Sequence, residues 1–155
     1  MQDAVEPCFN SGNMWLFTRY GFFSVACASD PGGALDVDTL MIRARSKAHL
    51  QRLQLRFPAI GDAEIITTPN TDYRYRIVVP KSAWANAIAE LATEQTWSNF
   101  KNEVARFGGR NEYEQALHEI WFIMHRLQQG ETEERSREQA EHADFVSRVG
   151  LRRKK

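Results

Sequence analysis

Between Asn70-Thr71 and Pro80 the chain reads Asp-Tyr-Arg-Tyr-Arg-Ile-Val-Val, a run of aromatic and β-branched residues that suits a strand. Successive side chains on a strand point to opposite faces. Tyr73, Tyr75, Ile77 and Val79 therefore share one side, and Arg74, Arg76 and Val78 the other. The first set can be buried; the second carries guanidinium groups that resist burial unless paired. Residues 39–45 repeat the pattern, with Leu40, Ile42 and Ala44 alternating with Met41, Arg43 and Arg45. Two such strands demand a sheet with one covered face and one charged face.

The rest of the chain supplies the cover. Met14–Thr18 and residues 22–28 read as two short strands broken at Gly21, and residues 64–68 as a strand in hairpin with the Tyr-Arg strand. Ser46 would cap a helix to about Phe57, Ser82 one over 83–94, and Ser98 a shorter one closed by Gly108-Gly109. The longest helix is expected over 111–128. The order β-β-β-α-β-β-α-α-α makes the fold class α+β, an antiparallel sheet with helices packed on one face. With the aromatic run before Ser29 as fourth strand, it would be a permuted ferredoxin-like split βαβ. A flexible leader (1–13), one domain (14–128) and a charged, partly helical or disordered tail (129–155) complete the layout.

The 155 residues carry no formal net charge, so no global field draws the chain to a polyanion. The charge is unevenly spread. Residues 1–40 hold one basic residue, Arg19, and five acidic ones, whereas residues 41–110 hold eleven basic and six acidic, a net of +5. No apolar run is long enough for a membrane span, and no signal pattern opens the chain. Cys8 and Cys27, without a CxxC motif, suit a reduced, cytoplasmic chain.

Candidate chemistry centres on the arginines. If the two alternating strands are neighbours, Arg43, Arg45, Arg74 and Arg76 form a patch on the face away from the helices, and Lys101 extends it. The planar arginine fork suits phosphate and carboxylate. Sheets that bind single strands combine such charge with stacking aromatics. The competing expectation is a merely solvated face, the arginines paired with Glu64, Asp72 or Glu103. Arg19-Tyr20-Gly21-Phe22-Phe23 echoes an RNA-recognition strand, but Tyr20 intrudes between the basic residue and the glycine. Glu114, His118 and His125 can share a helical stripe, yet the order is not HExxH and no metal ligand set is assigned. No GxSxG, GxGxxG or GxxxxGK[ST] is present, so no catalytic residue or cofactor is assigned.

The segments Met14-Trp15-Leu16-Phe17-Thr18, Gly21-Phe22-Phe23-Ser24, Arg43-Ala44-Arg45, Asp72-Tyr73-Arg74-Tyr75-Arg76-Ile77 and Asn99-Phe100-Lys101 together resemble an uncharacterised family of small bacterial proteins. The resemblance spans about residues 14 to 128 and implies a bacterial, cytoplasmic setting without implying any activity. The expectation is a non-catalytic binding module for an anionic partner, single-stranded nucleic acid or an acidic protein surface. The alternatives are an accessory factor docking through its sheet or edge, with a homodimer possible, and a small hydrolase or nuclease whose site forms only in three dimensions.

Overall fold

The computed structural model describes residues 13–108 and 111–152, with side chains as far as 144. The leader expected over 1–13, apart from Asn13, lies outside them. Met14–Thr18 (β1) and Gly21–Ser29 (β2) form an antiparallel hairpin in which Thr18 opposes Gly21. Gly21 has φ of +147°, and a Cβ there would collide with the His49 ring, so only glycine fits. Leu35–Ala44 (β3) pairs with β2, with a register shift at Cys27/Ala28. Lys47–Arg56 (α1) and a 3-10 turn at Pro58–Ile60 follow. Then come Ile66–Thr67 (β4), Tyr75–Pro80 (β5), Lys81–Thr93 (α2) and Phe100–Gly108 (α3).

The sheet runs β1-β2-β3-β5-β4, and every neighbouring pair is antiparallel. Strands β3 and β4 therefore run parallel with β5 between them, joined through α1 in a split β-α-β connection. β2 flanks β3 on its other side.

One face of this sheet is the core. Phe23 and Val25, Ile42 and Ala44, and Ile77 and Val79 meet Leu50 and Leu53 of α1 and Trp84 and Ala87 of α2. None of these exceeds 3% exposure, and each large aliphatic side chain so buried contributes about 1.5–3 kcal/mol. The fold is α+β, an antiparallel sheet with α1 and α2 packed on one face.

Several boundaries differ from expectation for local reasons. Helix α2 starts at Lys81, directly after Pro80 in extended conformation, so Ser82 sits inside the first turn and caps nothing. Helix α3 is capped by Asn99 rather than Ser98, its Oδ1 accepting from the Asn102 N–H at 3.1 Å.

Residues beyond Gly109 form a second compact unit, built on one helix, Glu112–Arg152 (α4). Asn111 Oδ1 caps it, accepting from the Glu114 N–H at 3.0 Å. The helix expected to end near Gln128 runs on because Gly130 costs only about 1 kcal/mol, while the Glu, Arg, Gln and Ala residues after it favour helix. No described helix is long and apolar enough to cross a membrane.

Candidate functional site

The face of the sheet turned from α1 and α2 carries a row of side chains set by register. Trp15 opposes Ser24, Ser24 opposes Arg43, Arg43 opposes Arg76, and Arg76 opposes Ile66. Directly opposed residues share a face. The row thus crosses all five strands as indole, hydroxyl, two guanidiniums and an apolar end.

Arg43 and Arg76 stand side by side at its centre. Arg43 Nη2 donates to Ser24 Oγ at 2.7 Å. Arg76 Nη2 donates to Thr71 Oγ1 at 3.2 Å and to the Tyr73 carbonyl at 3.3 Å. Among the described residues neither has a carboxylate in ion-pair reach, and the Nε of each is buried without an acceptor. Like charges directly opposed across strands repel. Two half-buried cations held together without counter-charge are therefore a feature the fold tolerates rather than one that stabilises it.

Arg45 differs, since its Nη2 meets Asp72 Oδ1 at 2.8 Å, a pair open to water on both sides and worth at most about 1 kcal/mol. Arg74 precedes β5, whose first residue is Tyr75, and so has no ladder position beside Arg45. Lys101 lies on α3, which is tied to the β1–β2 turn through Arg19 and Glu103. Three of the five expected residues, Arg43, Arg45 and Arg76, come together.

Tyr73 corrects the expected alternation. The turn before β5 is held by Thr71 Oγ1 donating toward the carbonyls of Thr68 and Tyr73, both at 2.9 Å, and by Asn70 at φ of 64°. Because the strand begins two residues later than expected, Tyr73 is not bound to the core-side parity. Its ring lies beneath two guanidiniums, 4.9 Å from Arg43 Cζ and 5.1 Å from Arg45 Cζ. At 7% exposure it supports the arginines and offers no open ring face.

An open ring exists at the end of the row. Trp15 is 63% exposed and stands edge-on to Phe22 with centroids 5.6 Å apart, while Phe22 stacks on Phe17 at 4.7 Å. The hairpin fixes this. Once Thr18 opposes Gly21, Trp15 must oppose Ser24. Sequence alone left Trp15 without a placed neighbour.

A second charged cluster, on the helix side, is closed on itself. Arg19 in the β1–β2 turn binds Glu94 at 3.1 Å and Glu103 at 3.0 Å, Arg106 meets Glu103, and Arg56 meets Glu90 and Glu94. Three arginines face three carboxylates. Burial pulls the Arg19 guanidinium down, but its hydrogen bonds to Tyr20 and Glu103 outweigh this and leave its pKa raised. Burial, together with Glu94, raises that of the Tyr20 hydroxyl. The cluster ties the turn to α2 and α3.

In α4, His118 Nε2 pairs with Glu114 at 2.8 Å whereas His125 stacks on Trp121. The stripe does not converge on one point. No family model, curated protein or solved structure matches the chain.

Proposed function

We propose that the protein is a non-catalytic module that binds single-stranded nucleic acid across the open face of its sheet. The observation that carries this reading is the opposed Arg43–Arg76 pair without a counter-charge. A backbone phosphate supplies the counter-charge that both guanidiniums lack, and phosphate neutralisation is the main source of affinity for such ligands. Adjacent strands lie about 4.8 Å apart, so Trp15 stands roughly 10 Å along the row from Arg43, near enough for a base to stack there while the neighbouring backbone meets the arginines. Duplexes keep their base faces stacked; single strands do not. In this reading the chain is a small bacterial, cytoplasmic factor, and its permuted ferredoxin-like sheet is the platform.

The test is fluorescence anisotropy of labelled oligonucleotides of about twelve nucleotides, within the usual site sizes of single-strand binders. The single strand binds more tightly than the duplex, Arg43→Gln/Arg76→Gln weakens it at least about tenfold, and Trp15→Ala removes about 1–3 kcal/mol. Absence of binding, or equal binding by the double variant, overturns the reading.

A further inference from the structure

Along one face of α4 the side chains at positions 120, 124, 127, 131, 134 and 138 recur every three or four residues. They are Ile120, Met124 and Leu127, then Glu131, Glu134 and Glu138. Met124 and Leu127 are 57% and 59% exposed, and the three glutamates are exposed. The stripe changes from apolar to acidic within one turn, inside a segment (129–144) with six acidic residues against two basic ones. Two copies of this stripe cannot cover each other. Parallel packing sets the glutamates against themselves. Antiparallel packing about Met124 and Leu127 sets them against residues 111–121, which hold Glu112, Glu114 and Glu119 and no lysine or arginine.

The open sheet face has the complementary order. Met41 and Val78 are directly opposed, Val78 being 42% exposed, and two residues further along β3 come Arg43 and Arg76, then Arg45. Two strand residues span about 6.6 Å and four about 13 Å. On the helix, Glu131 lies about 6 Å beyond Leu127 and Glu134 and Glu138 about 10 and 16 Å beyond. The steps match. With Leu127 over Met41 and Val78, Glu131 falls over Arg43 and Arg76, and the later glutamates flank Arg45.

We infer that the open sheet face of one copy is covered by the apolar-to-acidic stripe of α4 from a second copy, each covering the other about a two-fold axis. The acidic stripe then stands where the proposed nucleic acid would lie, so the dimer is the closed form and the ligand competes with it. The contact itself does not depend on the nucleic-acid reading.

Sedimentation of the full chain tests this. At about 50 mM salt the wild type sediments at twice its 17.9 kDa mass, and at about 500 mM, where exposed charges are screened, at the monomer mass. Arg43→Glu/Arg76→Glu is monomeric at low salt, and so is Glu131→Arg/Glu134→Arg/Glu138→Arg. Mixed in equal amounts, the two variants restore the dimer, because each stripe then meets a sheet of opposite charge; only folded chains give this rescue. A wild type monomeric at low salt, a dimer that survives either reversal, or a mixture that stays monomeric overturns the inference. A monomer that binds single strands would defeat it and leave the nucleic-acid reading standing; a dimer that binds none at any salt would do the reverse.

Discussion

Arg43 on β3 and Arg76 on β5 are directly opposed in the ladder, and among the described residues no carboxylate reaches either. A pair needed only for stability would be expected to have acidic partners, as the Arg19 cluster does. Arg43→Gln/Arg76→Gln therefore leaves stability within about 1 kcal/mol of the wild type, since lost hydrogen bonds and relieved repulsion oppose one another. Urea denaturation checks this, and a loss of 3 kcal/mol or more would make the pair structural.

Glu103 is expected to behave oppositely. It is 5% exposed and joins Arg19 to Arg106. Glu103→Ala leaves the Arg19 guanidinium without one of its two carboxylates in a partly buried site, a loss of about 3 kcal/mol. Denaturation of this variant beside the arginine double variant separates the two clusters.

Tyr73 acts through the arginines above it. Tyr73→Phe keeps the ring and should bind oligonucleotide as the wild type does. Tyr73→Leu removes the cation–π support, worth about 0.5–2 kcal/mol for a partly desolvated pair, and should weaken binding by a similar amount. Equal binding by all three proteins would show that the ring does not position the guanidiniums.

His49 gives stability a pH dependence. Its pKa is lowered, by burial first and then by the nearby Arg52 guanidinium. The folded state therefore holds a proton less readily than the unfolded chain. The stabilisation is complete above the unfolded value of about 6.5 and is lost as pH falls from there through the folded value. Melting temperature should fall over that window in the wild type and fall less in His49→Asn, each referred to its own value at pH 8.

Much of the fold was legible because β-alternation and burial agree. Leu40, Ile42 and Ala44 face the core while Met41 and Arg43 do not, and the same holds for Ile77 and Val79 against Arg76 and Val78. Tyr73 was misplaced because the strand starts at Tyr75, and parity carries no information across a turn. The Arg19 network was invisible, since Glu94 and Glu103 lie 75 and 84 residues away along the chain. The row position of Trp15 needs the hairpin register, in which Thr18 opposes Gly21.

The most direct measurement is the salt dependence of single-strand binding, made at protein concentrations low enough that the chain is monomeric at every salt. With Arg43 and Arg76 each neutralising one phosphate, log K falls against log salt with a slope of about −1.4 from these two alone. The wild type should show at least that slope, and Arg43→Gln/Arg76→Gln should be shallower by about the same amount. Equal slopes in the two proteins would contradict the assignment of this pair to a phosphate backbone.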